Sequence, residues 1–136
     1  MYASFFVVLL DAVRMEMQYA GAGHPAVLHQ SVADNRINWL ESTTTLLGIG
    51  HPLPVACSLQ QVPIRHGDRI LLYSDGLTEA RNDTGADFGR PGLATWFETE
   101  AGLHEDRFVD QLCTSVHDYS RGKLQDDVLC LGIRLK

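Results

Sequence analysis

The sequence predicts an α+β layered fold. Short β-branched and aromatic runs separated by tight-turn punctuation fill its first half, apolar residues at helical spacing fall in two late stretches, and one more apolar run closes the chain. Strands that follow one another through turns pair antiparallel, and helices added after them cover one face of the sheet. The strand–helix–strand alternation of a doubly wound sheet is absent. At 136 residues the chain reads as one domain, 1–136, large enough to bury roughly two-thirds of its unfolded surface.

The elements follow in order. Phe5 to Asp11 is an apolar run, and from Arg14 to Tyr19 the residues Met15, Met17 and Tyr19 alternate with Glu16 and Gln18. That is the period of a half-buried strand, so the two runs predict a hairpin turning at Ala12-Val13. Gly21-Ala22-Gly23-His24-Pro25 breaks the pattern before a strand from Ala26 to Gln30. Ile37 to Leu40 reads as another strand, and Gly48-Ile49-Gly50-His51-Pro52 as a loop. Val55 to Ile64 and Arg69 to Ser74 come next, joined by the turn-like His66-Gly67-Asp68. Ile70 to Tyr73 is apolar on both faces, which places that strand in the middle of a covered sheet. Leu93, Trp96 and Phe97 suggest a short helix. Phe108, Val109, Leu112, Cys113, Val116 and Tyr119 recur at three- and four-residue steps, a longer amphipathic helix that Gly122 is placed to end. Val128 to Leu135 is the closing strand.

Composition narrows the function classes. Seventeen acidic against eleven basic residues give a net charge of -6, the wrong sign for a nucleic-acid partner. The apolar run at the N-terminus has no basic residue before it and is too short to span a membrane, so neither a membrane role nor a leader is expected and the protein reads as cytoplasmic. Cys57, Cys113 and Cys130 are an odd number at wide spacing without a C-x-x-C pair. They read as small buried hydrophobes rather than a zinc site or disulfide framework.

The acids carry the chemistry. Asp75 ends one strand, in Tyr73-Ser74-Asp75-Gly76, and Asp126-Asp127 precede another, before Val128-Leu129-Cys130-Leu131. If those strands are antiparallel neighbours, about 5 Å apart, Asp75 and Asp126 converge at one rim. Two carboxylates that close repel unless a proton or cation lies between them, and a hard divalent ion prefers such oxygens. The plainer alternative is that Asp75 opens a turn before Gly76 and that Asp126-Asp127 end a loop.

The stretch Gly67-Asp68-Arg69-Ile70-Leu71-Leu72-Tyr73-Ser74-Asp75-Gly76-Leu77-Thr78-Glu79-Ala80 resembles the core signature of bacterial PPM-type serine/threonine phosphatases of the sporulation-E-like branch. Three further segments fall in that family's order. Tyr19 to Pro25 resembles its A-G-H-P segment, Asn82 through Phe88-Gly89 its loop ending in F-G, and Asp126 to Leu131 its closing D-D strand. The resemblance implies an αββα sandwich of two antiparallel sheets with helices outside. It implies Mn²⁺ or Mg²⁺ at one rim, held by aspartates, activating a water that attacks the phosphorus of a phosphoserine or phosphothreonine. Asp75 and Asp126 match metal ligands, and Gly76, Asp127 and His24 fall in the surrounding shell or substrate loop. The implied partner is a phosphorylated regulatory protein, such as an anti-sigma-factor antagonist, in bacterial signalling.

The departures are specific. The family's earlier G-G-D-x-x-D-like strand and D-V-x-G-H-G-like loop are not found, and Leu129 stands where the family usually has Thr. The chain is therefore expected to be the C-terminal part of such a domain, incomplete at the N-terminus and lacking part of the metal site. It is either a piece of a longer enzyme or a truncated, catalytically inactive module that binds a signalling partner. Half a sandwich leaves an apolar sheet face open, which makes a homo-oligomer one expectation. Gly21-x-Gly23-x-x-Ala26 formally matches a dinucleotide fingerprint, but strand rather than helix follows it. Ser74 lacks a G-x-S-x-G setting. The six histidines show no H-x-x-x-H pair; His24, in its glycine-flanked loop, reads as a loop-positioning residue ahead of a catalytic one.

Overall fold

A computed structural model describes residues 1–49 and 58–136. Cys57, His51 and the start of the strand expected from Val55 lie outside the described residues. Two antiparallel sheets form. In the first, β1 (Phe5–Asp11) pairs with β2 (Glu16–Ala22), which pairs with β5 (Gln60–Pro63). In the second the order is β4 (Arg36–Leu40), β3 (Val27–Ser31), β6 (Arg69–Tyr73), β7 (Cys130–Arg134). Four helices were identified among the described residues: α1 (Asp75–Thr78), α2 (Gly89–Thr99), α3 (Ala101–His104) and α4 (Phe108–Tyr119).

The β1–β2 hairpin has a four-residue turn in which the Asp11 carboxylate accepts the N–H groups of Val13 and Arg14 at 3.0 and 2.8 Å. Met15 sits in that turn at φ 51°, not in the strand where alternation put it. Its carbonyl accepts the Ile64 N–H instead, and the strand starts at Glu16. Within β1, Phe6, Val8 and Leu10 face inward while Val7 and Leu9 stay 56% and 62% exposed on the outer face.

Alternation sorts the side chains into two layers. Met17, Val27, Leu40, Ile64 and Ile70 are buried between the sheets. Leu28, Leu71 and Tyr73, on the other face of the four-stranded sheet, pack under Leu77, Leu93, Phe97, Leu112 and Val116 from the helices. All four helices contribute to this second layer, so they cover one face of the sheet. Burying each of these large side chains stabilises by roughly 1.5–3 kcal/mol. β6 is flanked by β3 and β7 and buried on both faces, as its unbroken apolar run requires.

Several boundaries differ from the sequence expectation. His66-Gly67-Asp68 does not close a hairpin: β5 pairs with β2 and β6 with β3, so this turn, with Gly67 at φ 91°, carries the chain from one sheet to the other. Ser74 lies just past β6, and Asp75 opens the short helix α1, which was not anticipated. α2 begins four residues before Leu93, α3 was not anticipated, and β7 starts at Cys130 rather than Val128. α4 ends as expected, with Gly122 at φ 72° and its N–H bonded to the His117 carbonyl at 2.8 Å.

Candidate functional site

β6 and β7 are antiparallel neighbours with Tyr73 opposite Cys130, so the chain leaving β6 runs beside the chain entering β7. The ladder continues past the strands: Ser74 N–H donates to the Leu129 carbonyl at 2.9 Å. Ser74 Oγ donates to the Asp127 carbonyl and accepts the Leu129 N–H, both at 2.9 Å. Asp75 and Asp126-Asp127 are thereby brought to one rim of the sandwich.

Gly76 sets how closely. A Cβ there would lie 2.5 Å from the Asp127 carbonyl oxygen and 3.2 Å from that of Asp126. Only a residue without a side chain lets the two backbones approach this far. α1 is held beneath by Leu77 and Ala80, both buried, and its first turn closes with Glu79 N–H donating to the Asp75 carbonyl at 2.9 Å. The carboxylates of Asp75, Asp126 and Asp127 are exposed. Asp126 accepts the N–H of Asp127 through one oxygen at 2.8 Å.

His24 reaches the same corner. With Tyr73, Ser74, Leu129 and Cys130 it lines a cavity of about 280 Å³. Its backbone is clamped by Ser42, whose Oγ accepts the His24 N–H at 2.9 Å and donates to the His24 carbonyl at 2.8 Å. Its ring Nδ1 lies 2.8 Å from the Pro25 carbonyl, which fixes Nδ1 as the protonated nitrogen. The preceding glycines allow this path: Gly23 is at φ 59°, and a Cβ on Gly21 would meet the Phe6 ring.

Arg90 was not singled out from the sequence. It forks onto the Glu41 carboxylate at 2.6 and 3.0 Å and stacks over the Trp39 ring at 5.1 Å, with the Tyr73 phenol beside it. A signal was available: Arg90 occupies the first turn of α2, where the helix dipole disfavours a cation, so other groups must hold it. Burial pushes the Tyr73 phenol beside it up to about 12.

Hard carboxylate oxygens suit Mg²⁺ or Mn²⁺, so Asp75 and Asp126 fit the cation class. Among the described residues no group of three or more His, Cys, Asp or Glu side chains shares a metal position. Such ions take about six oxygens, so these two aspartates supply only part of a shell.

The whole chain, residues 1–136, matches the family described as stage II sporulation protein E (SpoIIE). Phosphoserine phosphatase RsbU of Bacillus subtilis (strain 168) is 28% identical over 136 residues, covering all of this chain and 40% of RsbU. Among solved structures, the SiaA-PP2C domain of Pseudomonas aeruginosa superposes with a TM-score of 0.80 at 19% identity, covering 99% of this chain and 52% of that one. The manganese-presoaked phosphatase domain of the cell fate determinant SpoIIE from Bacillus subtilis gives 0.74 at 11% identity, over 98% and 56%. The fold is that of PP2C phosphatase domains. The chain belongs to the SpoIIE family and spans about half the length, or less, of these relatives. Among the described residues no helix is long and apolar enough to cross a membrane.

Proposed function

We propose that this chain is the C-terminal part of a Mg²⁺- or Mn²⁺-dependent protein serine/threonine phosphatase domain, acting on a phosphorylated regulatory protein of a bacterial signalling circuit. The observation that carries the reading is the pairing of β6 with β7, which delivers Asp75 and Asp126 to one rim with Gly76 packed on the Asp127 carbonyl. The family match and the phosphoserine phosphatase relative support it. Such a substrate is cytoplasmic, and an anti-sigma-factor antagonist is the partner class we favour.

In this reading Asp75 and Asp126 would hold the cation, which when bound supplies an activated water and neutralises charge on the phosphoryl oxygens. Ser74 fixes the 127–129 backbone, and so the position of the Asp126 and Asp127 carboxylates. Asp127 adds negative charge that strengthens cation binding at the rim. His24 stands at the cavity wall with Nδ1 turned to the Pro25 carbonyl, in a loop whose position Ser42 sets.

The test is hydrolysis of p-nitrophenyl phosphate and of a phosphoserine peptide with and without MnCl₂. It is run on the chain, on any longer native form, and on Asp75→Asn and Asp126→Asn in each. Metal-dependent activity that falls by roughly 100-fold or more in both variants supports the proposal. Metal-independent turnover, or turnover indifferent to Asp75→Asn, refutes it. Activity in the longer form alone assigns the missing ligands to the rest of the domain. Silence in every form favours the binding-module reading.

A further inference from the structure

Gly132 determines how α4 lies on β7. A Cβ there would collide with Val109 Cγ2 and sit 2.5 Å from Phe108 Cζ, so helix and strand approach more closely than a side chain at 132 would allow. From that contact, Cys113 is one helical turn beyond Val109, about 6 Å along the axis. Cys130 is two residues back from Gly132 on the same face of β7, about 6.6 Å along the strand. The steps match, which sets Cys113 and Cys130 facing one another across the helix–strand contact, and the Cys113 thiol is a close enough neighbour to help raise the pKa of Cys130. Both are free and half-buried.

We propose that Cys113 and Cys130 form a reversible disulfide when the protein meets a peroxide, stapling α4 to β7 across the segment that carries Asp126 and Asp127. The chemistry is asymmetric. Burial, together with the neighbouring Cys113 thiol, pushes the Cys130 thiol up to about 12. Its thiolate is therefore scarce at neutral pH, which suits Cys130 to the resolving role rather than to first attack on the oxidant. Cys113 Sγ takes one oxygen from hydrogen peroxide, giving a sulfenic acid and a first water. Cys130 Sγ then attacks that sulfur, the S–O bond breaks, and the oxygen leaves with the Cys130 proton as a second water. Two thiols are oxidised and one peroxide is reduced to two waters. Cys113 is only partly buried, which leaves it open to peroxide.

The disulfide closes residues 113 to 130 into a ring containing Asp126 and Asp127, so oxidation acts on the rim through the loop that presents it. A ring of this size raises Tm by roughly 10 °C. The proposal is independent of the phosphatase reading, since its readouts are a bond and a melting temperature.

The experiment treats the purified protein with hydrogen peroxide, blocks remaining thiols, digests it without reductant and maps the peptides by mass spectrometry. The expected result is a link between the Cys113 and Cys130 peptides that dithiothreitol reverses, with the Tm rise. Cys113→Ser and Cys130→Ala each abolish both, and Cys57→Ser changes neither. If Cys130→Ala fails to fold, Cys113→Ser, at a half-exposed helix position, carries the same test. Linkage through Cys57, linkage between chains in place of the 113–130 bond, sulfinic acid on Cys113 with Cys130 still free, or a link without a Tm rise overturns the proposal.

Discussion

Ser74 Oγ holds the Asp127 backbone, donating to its carbonyl at 2.9 Å while accepting the Leu129 N–H at 2.9 Å. One hydroxyl thus ties the end of β6 to the loop entering β7, and its neighbours in sequence and in space are the rim aspartates. Ser74→Ala removes both bonds and leaves a donor and an acceptor in the loop without them. Each such bond contributes about 1 kcal/mol, so Tm should fall by roughly 3–7 °C. Mn²⁺ affinity, followed by titration calorimetry, should fall with it. A variant that melts lower but binds Mn²⁺ as the parent does would separate the loop from the cation site.

Gly76→Ala tests the close approach directly. The added Cβ would meet the Asp127 carbonyl oxygen at 2.5 Å, a backbone atom that cannot step aside without moving Asp126 and Asp127. The expected outcome is at least a ten-fold loss of metal-dependent hydrolysis, on the order of 1.4 kcal/mol, with a lower Tm. Gly102→Ala is the control: nothing lies within 4 Å of its Cβ position, and within α3 the change should be neutral or stabilising by up to about 1 kcal/mol. Equal effects at the two positions would argue against a role for the Gly76 contact.

Much of this arrangement was legible in the sequence because it rests on local signals. The apolar run Phe5–Asp11, the alternation through Met17 and Tyr19, the doubly apolar run of Ile70–Tyr73 and the helical stripe from Phe108 to Tyr119 follow from side-chain type and spacing alone. Once the run before Asp75 and the run after Asp127 are read as antiparallel neighbours, the meeting of the acids at one rim follows geometrically. What escaped depends on distant partners or on very short elements. The turn at Gly67 looks like a hairpin, yet Ile64 and Ile70 both fill the layer between the sheets from opposite sides, a fact of topology. Four residues are too few to show a helical period, so α1 was not anticipated. Arg90 is positioned by Glu41, Trp39 and Tyr73, none of which its own neighbourhood in the chain announces.

The far end of β6 supplies a contrasting test. Asp68 accepts the Val32 and Arg65 N–H groups at 3.0 Å each and bonds the His29 ring at 2.9 Å, with both side chains only 2% exposed. Asp68→Asn replaces one acceptor oxygen with a donor facing another donor, leaving buried groups unpaired. Leaving buried polar groups unpaired costs about 1–3 kcal/mol, so Tm should fall by roughly 5–10 °C. Because Asp68 precedes β6 and Asp75 lies past its other end, the folded fraction should bind Mn²⁺ as the parent does. A selective loss of Mn²⁺ binding at unchanged Tm would contradict this division.

Alkaline pH should weaken the helix-covered layer. Burial raises Tyr73 from an ordinary value of 10.0 to about 12, with Glu41 adding to the rise and Arg90 opposing it; Cys130 is raised from 9.0 to about 12. A group whose folded pKa lies above its unfolded value contributes stability that is fully present below the unfolded value. That stability is lost as pH rises through the folded value. The window is therefore about pH 9 to 12 for Cys130 and 10 to 12 for Tyr73. Across it Tyr73 alone accounts for roughly 2 kcal/mol, at about 1.4 kcal/mol per pKa unit. Tyr73→Phe removes the ionisable group and the buried hydroxyl beside Arg90, so at pH 7 the variant should melt a few degrees below the parent. Other tyrosines and lysines titrate alike in both proteins, so the gap between the two Tm curves isolates position 73. Between pH 9.5 and 11.5 that gap should close, because only the parent has a phenol to ionise in the core. A gap that stays constant over this range would show that Tyr73 ionises as freely folded as unfolded, and that the layer under α1 and α2 is wetter than its packing implies.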